Sequence, residues 1–593
     1  MPGEEGQKKR LAIIAISTIL LVAMVIGATF SLTVANKDAA NGVDLKDSNK
    51  SHVSSSMKAV KTLCQPTDYK KDCVDGLTKE AGNTTDPREL IKLTFHITAK
   101  KIGEGLKKTR LLQEAEKEPR AKGALATCKQ LMEFSIMELQ RSIERLGNFD
   151  LNNLDNILTS LKVWLSGAVT YQDTCLDSFE NTTSPAGKKM KEVLQTSMHM
   201  TSNGLAIINE LSKTLQEMKI TKPAARRLLH DANGLPVLGH DDNDGEVVPE
   251  WIDEERVGGV RRLLKTNARK VLANAIVAKD GSGNFTTITQ ALKQVPIKNK
   301  KPYIIWIKEG VYQEYVEVTK HMTHVIFVGD GAKKTRITGR KNFIDGVNTY
   351  RTATVAIQGD YFVAVGVGFE NTAGPHKHQA VAIRVQADKS IFYKCRMDGF
   401  QDTLYAHAMR QFYRDCVISG TIDFVFGDAV AVFQNCTFVV RKPMQNQQCI
   451  VTAQGRKERN QPSGIIIQGG AIVADPKYYP VRFDSKTYLA RPWKSFSRTV
   501  FMDTYIGDLI QPDGYMPWQT PTGAPTGMDT CFYAEVNNLG PGADVTKRVK
   551  WQGVKKLTPQ LATDFFPSKF FNGDDWIRVT KIPYFNGEKS SKQ

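Results

Sequence analysis

The stretch HQAVAIRVQADKSIFYKCRMDGFQDTLYAHAMRQFYRDCVISGTIDFVFG, residues 378–427, repeats itself. Phe392-Tyr393-Lys394-Cys395 is echoed by Phe412-Tyr413-Arg414-Asp415-Cys416, and again by Phe433-Gln434-Asn435-Cys436. A period of about 20 to 22 residues is that of a solenoid in which each turn is one supersecondary unit. Polar residues keep the same step: Gln379, Gln401 and Asp423 are each 22 apart, and Asp402 precedes Asp423 by 21. Residues one turn apart in a coiled parallel sheet stack at roughly 4.8 Å. The spacing therefore predicts a column of two glutamines and two aspartates on one outer face.

Outward from this stretch, residues 275–585 continue as short β-rich runs broken by Gly and Asn turns, such as YIIWIKEGVYQEYVEV and HVIFVGDG. Strands with this spacing and no helices between them predict an all-β, right-handed parallel β-helix rather than a sandwich or a doubly wound sheet. One helical stretch, 287–295, is expected to cap the open end. Cys395, Cys416 and Cys436 recur with the turn; stacked neighbours lie near the lower limit of disulfide geometry, so Cys416–Cys436 is the pair expected if one is bridged, and a buried ladder without bonds is the alternative. With Cys449 and Cys531 the region has five cysteines, so at least one thiol is left over.

The amino-terminal half has a different period. Leu125, Cys128, Met132, Ile136, Leu139, Ile143 and Leu146 step by 3 and 4, the pattern of a core-facing helix. Further helical runs cover 151–179 and 190–218, so residues 58–220 read as an all-α antiparallel bundle. Four cysteines fall here and allow three pairings. Cys64–Cys73 is the local choice and leaves Cys128–Cys175 to tie two helices. Between the halves, 221–274 has a Gly/Pro/Asp-rich linker composition. The tetrapeptide Arg-Arg-Leu-Leu occurs twice there, as Arg226, Arg227, Leu228, Leu229 and as Arg261, Arg262, Leu263, Leu264, which reads as a pair of processing sites.

Lys8-Lys9-Arg10 precedes an uncharged run from Leu11 to Ala35, long enough to span a bilayer. Residues 1–35 therefore read as a signal-anchor or signal peptide, with the bulk of the chain across the membrane, and 36–57 as a polar tether. No other segment points to a membrane, and 586–593 is a short tail. Sequons at Asn49, Asn83, Asn181, Asn284 and Asn435 suit secretory passage. The net charge of +18 suits an acidic polysaccharide; no zinc-finger, homeodomain or RNA-recognition signature speaks for nucleic acid.

The polar column can do ester chemistry. Two carboxylates one rung apart resist ionising together, so the pair presents an acid beside a base. Arg491, in YLARPW (488–493), would fix which one stays charged. Gln379 and Gln401 offer N–H donors to an oxyanion. A carboxylate nucleophile, a protonated carboxyl and oxyanion donors suffice for acyl transfer. No Gly-x-Ser-x-Gly elbow, metal-ligand spacing or cofactor motif is found. Tyr405, Phe426, Tyr488, Trp493 and Trp518 are candidates for gripping sugar rings.

Residues 64–73 (CQPTDYKKDC), 124–143 and 164–179 resemble the plant invertase/pectin methylesterase inhibitor family, a disulfide-linked four-helix bundle. GVYQE (310–314), TYRTAT (349–354), HQAVAIRV, DGFQDTLY, GTIDFVFG, TAQGR (452–456), LARPW and GPGA (540–543) resemble plant pectin methylesterases across essentially all of 275–585. Together they resemble the type I organisation, an esterase behind an inhibitor-like pro-region. The resemblance implies hydrolysis of homogalacturonan methyl esters in the cell wall or apoplast by a monomer without cofactor or metal. Asp423 would be the nucleophile, Asp402 the proton donor and then base, Gln401 and Gln379 the oxyanion donors, and Arg491 the group that orients Asp423. Thr349 and Trp493 would contact substrate, with Tyr405, Phe426, Tyr488 and Trp518 along the groove. A subtilisin-like protease would cut the linker, and separate proteinaceous inhibitors are possible partners. The sequence departs from the family pattern at Asp428, in FGDA for FGNA, and at Ala490, in LARPW for LGRPW.

A polygalacturonase-like hydrolase would need Gly-His-Gly and Arg-Ile-Lys motifs that are absent, and a lyase a calcium-binding acidic cluster. A weak or inactive esterase serving as inhibitor or wall-binding protein is the non-enzyme alternative; all five catalytic positions being filled argues against it.

Overall fold

The computed structural model describes residues 48–147, 153–217, 273–520 and 522–587. Residues 11–35 and both Arg-Arg-Leu-Leu motifs lie outside them. Among the described residues no helix is long and apolar enough to cross a membrane. Among the described residues six helices come first: α1 (Ser48–Leu63), α2 (Lys70–Glu80), α3 (Pro87–Ala115), α4 (Pro119–Gly147), α5 (Leu154–Asp177) and α6 (Ala186–Glu217). The last four are the long helices expected of the bundle. The stretch expected as a tether is already helical from Ser48. Proline opens α3 and α4, where its missing N–H costs nothing. In α4 the expected stripe is inside, with Leu125, Cys128, Met132, Leu139 and Leu146 buried and Ile136 and Ile143 half-buried.

The chain divides into two compact units. The first takes the described parts of 1–107, 134–168 and 192–227. Cys64–Cys73 joins α1 to α2 there. His199 stacks on Tyr69 at 3.7 Å and bonds Asp72 at 2.5 Å.

The second unit takes 108–133, 169–191 and the described residues from 273 onward, and Cys128–Cys175 lies within it. From Ala275 the chain winds through three parallel sheets of 11, 7 and 8 strands, each taking every third strand along most of its length. That topology is the parallel β-helix the period predicts. The seven-stranded sheet carries the site: β1 (Val316–Val318), β2 (Val355–Ile357), β3 (Ile383–Val385), β4 (Leu404–Ala406), β5 (Val425–Gly427), β6 (Cys449–Gln454) and β7 (Thr487–Ala490), hydrogen-bonded in that order. A short helix, Ile288–Leu292, buries Ile288, Ala291 and Leu292 at the start of the coil; the Thr287 hydroxyl caps it by accepting from Gln290 N–H. The coil's core runs from Ala275 to Tyr533 and includes no residue of α1–α6, so it is closed without them.

The internal repeat is confirmed with a shift of one residue. Phe392 pairs with Tyr413, not Phe412, and Tyr413 with Phe433. Their rings stack at 4.9 and 4.3 Å, nearly parallel. The aligned units are thus FYKC, YRDC and FQNC, because the inward-facing ring and the cysteine set the register.

The expected Cys416–Cys436 bridge is not formed. Cys395, Cys416, Cys436, Cys449 and Cys531 are all free and buried. Stacked residues project their side chains side by side rather than toward each other, which is the wrong direction for a bridge. Each thiol of the ladder instead meets backbone carbonyls of its own or the preceding rung, such as Cys416 Sγ with Phe392 O at 3.4 Å. Burial, reinforced by the Cys416 neighbour, raises the Cys395 thiol well above its usual range.

Candidate functional site

Asp402 and Asp423 each stand two residues before a strand, β4 and β5, whose register pairs Leu404 with Val425. The two acids therefore occupy equivalent places on consecutive rungs. Both have left-handed backbones, φ 63° and 51°, a conformation that Asp tolerates better than most residues. Both are buried, at 7% and 5% exposure. Gln401 precedes Asp402. Gln379 stands on the previous rung, where Ala380 N–H donates to Gln401 O at 3.2 Å.

Arg491 arrives from the end of β7. Its Nε donates to Asp423 Oδ1 at 2.8 Å, and its Nη2 bonds Oδ2. This two-point contact sets a guanidinium against the Asp423 carboxylate and fixes its plane. Asp402 has no such partner. Burial and the Asp423 charge raise its carboxyl well above the usual range, only partly offset by Arg491. A carboxyl that resists ionisation thus stands beside one gripped by a guanidinium.

Gln379, Gln401, Asp402, Asp423 and Arg491 line one cavity of about 770 Å³ together with Thr349, Tyr405, Phe426, Trp493 and Trp518. Gln401 Oε1 is buried without a partner within the protein. Tyr405 stacks on Phe426 at 4.2 Å, and Trp493 meets both edge-on. Trp493 approaches closely because residue 455 is glycine: a Cβ there would lie 2.8 Å from the indole. Trp518 covers the Arg491 guanidinium at 4.5 Å. Tyr488 is not brought to the cavity. It is buried on β7, paired with Ile450.

Lys494 and His407 carry no sequence signal in the reading above, whereas Asp428 is a departure from the family pattern named there. Lys494 follows Trp493 and also lines the cavity. His407 is buried against Tyr405, and burial drives its pKa well below the usual value, leaving it neutral. Asp428 is buried among donors: Ser463 Oγ, Gln461 Nε2 at 2.6 Å, Gln454 Nε2 at 3.2 Å and Thr170 Oγ1 at 2.6 Å. Burial pushes its carboxyl up to about 7 against the pull of these donors. Thr174 and residues 176–180 lie along the same cavity. Of the sequons, Asn83, Asn181, Asn284 and Asn435 are exposed.

Residues 274–574 match the family described as Pectinesterase, and 58–207 the plant invertase/pectin methylesterase inhibitor family. The chain belongs to the pectinesterase family. It is 47% identical to putative pectinesterase/pectinesterase inhibitor 28 of Arabidopsis thaliana, with 98% of this chain and 75% of that one covered. With probable pectinesterase/pectinesterase inhibitor 21 of the same plant the identity is 46%, over 98% and 83%. Pectin methylesterase from carrot shares the coil, with 44% identity and a TM-score of 0.52 over 54% of this chain and 99% of that one. In this pectinesterase the expected five polar residues thus share one cavity, while the aromatic set loses Tyr488.

Proposed function

We propose that the chain hydrolyses the methyl esters of homogalacturonan, releasing methanol and leaving pectate. Ionised Asp423 attacks the ester carbonyl, and the oxyanion that forms is taken up by the amides of Gln401 and Gln379. Asp402 gives its proton to the departing methoxide, which leaves as methanol. The acyl group stays on Asp423 as an anhydride. Asp402, now a carboxylate, takes a proton from water, whose oxygen attacks the acyl carbon and restores Asp423. Thr349, Trp493, Tyr405, Phe426 and Trp518 position the sugar ring. The observation that carries this reading is the two-point grip of Arg491 on Asp423 beside an Asp402 with no cation of its own. The test is methanol release from esterified pectin. Reducing ends or unsaturated products in place of methanol would refute an esterase.

The helical region serves as a pro-region that keeps the precursor inactive, in line with Thr174 and residues 176–180 along the cavity. A subtilisin-like protease frees the enzyme at one of the Arg-Arg-Leu-Leu motifs, after passage through the secretory pathway to the wall with the precursor held or led by residues 1–35. The domains run 58–220 and 275–585 around a processed linker, and the exposed sequons carry glycans. Changing both motifs to Ala-Ala-Leu-Leu should leave a secreted, uncut and inactive protein; full activity in that variant would sink the pro-region reading.

A further inference from the structure

The outer face of the eight-stranded sheet has two characters. In its earlier rungs the outward positions are charged and paired with one another. Arg336 bonds Glu370 at 2.9 Å and Asp398 at 2.7 Å, and Arg396 reaches the same Asp398 at 2.7 Å. In the later rungs the register continues the row of Arg396 as Val417, Thr437, Ala471 and Tyr505, with Leu539 beyond. The neighbouring row carries Val439 and Val473, side by side. Tyr505 is 45% exposed and Leu539 66%. An outward face that turns from paired charges to contiguous apolar side chains marks an interaction surface.

At its margin Tyr479 and Phe483 are 54% and 64% exposed, and Arg482 braces both. The guanidinium lies 4.0 Å from the Tyr479 ring and 4.2 Å from that of Phe483. Its Nε and Nη2 donate to the two oxygens of Asp508 at 2.8 and 2.6 Å, and its Nη1 to Tyr479 O at 2.8 Å. Asp508 stands three residues after Tyr505, at the end of the apolar row. Two exposed rings are thus held in place before anything binds, which lowers the ordering cost of binding. None of Tyr479, Phe483, Tyr505 and Leu539 lines the catalytic cavity. The charge around them selects the partner. Lys477, Arg482 and Lys486 stand against Asp475, Asp484 and Asp508, an even balance on a chain of net charge +18. A polyanion finds no excess of positive charge here, and a second copy would bring the same large charge and be repelled.

We propose that this end of the eight-stranded sheet docks an uncharged, equatorially linked polysaccharide ribbon of the β-1,4-glucan type, leaving the catalytic cavity free. Aliphatic side chains level with one another, beside rigid rings, suit the apolar faces of sugar rings. Equatorial linkages keep those rings in one flat ribbon, whereas the axial linkages of galacturonan turn each ring out of the plane of the last.

The test uses the full chain, uncut, with microcrystalline cellulose as the probe, in about 0.5 M salt so that adsorption through net charge is screened. The cellulose should deplete the parent protein from solution. Y479A/F483A should bind about tenfold more weakly, and Tyr505→Ala about threefold. Asp508→Asn keeps both rings but removes the charge that braces Arg482, and should weaken binding about threefold. Tyr361→Ala, which removes a ring of similar exposure (40%) elsewhere on the coil, should change binding by less than about twofold. A parent that stays in solution overturns the proposal, as does equal retention of Y479A/F483A or an equal loss in Tyr361→Ala. A dimer in sedimentation that Y479A/F483A dissolves would also overturn it and give the face to a second copy. Methanol is not part of the readout, so failure of the esterase reading would leave this test standing.

Discussion

Two columns of the coil repeat with the same step and have opposite characters. At one corner Lys394, Asp415 and Asn435 all have left-handed backbones, φ 51°, 53° and 52°, each just before a cysteine of the buried ladder. At another corner Asp402 and Asp423 have the same backbone. Asp415 is half-exposed, and Asn435 Nδ2 donates to it at 2.8 Å. Asp423 is buried and gripped by Arg491. Period and backbone strain are therefore properties of the coil, not marks of catalysis. The difference lies in what else reaches the corner: a guanidinium from β7, two amides and a cavity.

The largest expected effect tests that difference directly. Asp423→Asn should reduce methanol release by about 10⁴-fold, whereas Asp415→Asn, at the equivalent backbone, should stay within about twofold. Comparable losses in both would mean that the corner itself, not its surroundings, is essential. Arg491→Lys keeps the charge but not the two-point contact, and kcat should fall about 10²-fold with KM little moved. An unchanged kcat would leave Asp423 oriented by something else.

Asp428 sharpens the comparison from the side of stability. It lies five residues after Asp423 and is as deeply buried, yet it has hydroxyls and amides in place of an arginine contact. Its folded pKa is raised to about 7 from an ordinary 3.8. The folded state therefore holds this proton more tightly than the unfolded chain. The associated stability is fully present below the unfolded value and is lost as pH rises toward 7, on the order of 4 kcal/mol. Asp428→Asn should raise the melting temperature at pH 7 and change it little at pH 4. Equal shifts at both pH values would contradict this.

The smallest effect concerns the thiols. Denatured, unreduced protein should alkylate at Cys395, Cys416, Cys436, Cys449 and Cys531 and at no cysteine of the two helical bridges. Cys416→Ser should cost only about 1 kcal/mol, because backbone carbonyls already stand ready to accept a hydroxyl. A mass two hydrogens short in the coil would restore the Cys416–Cys436 bridge.

The period of residues 378–436 was enough to name the coil, and the 3–4 spacing of residues 125–146 enough to name the helices. Each is a local consequence of one face needing to be buried. The same spacing gave Asp402 and Asp423 and placed both glutamines on the right face. It misread the ladder by one residue at Phe412, since two adjacent aromatics fit equally well until one of them must point inward. It also proposed a disulfide that side-by-side projection forbids, and it grouped Tyr488 with the groove, whose cavity it does not line.

What the sequence by itself determined is therefore whatever depends on short-range periodicity: the coil, the helical half, and the recurrence of acids along one face. The pairing of Arg491 with Asp423, 68 residues apart, was legible only through the family resemblance, and the tertiary structure decided the two-point contact that leaves Asp402 without a cation. It also decided that Asp428 is a buried acid without one, and that Lys457 and Lys494 share their charge with Asp173 and Asp177. Electrostatic roles follow from distance and burial, and neither is written in the order of residues along the chain.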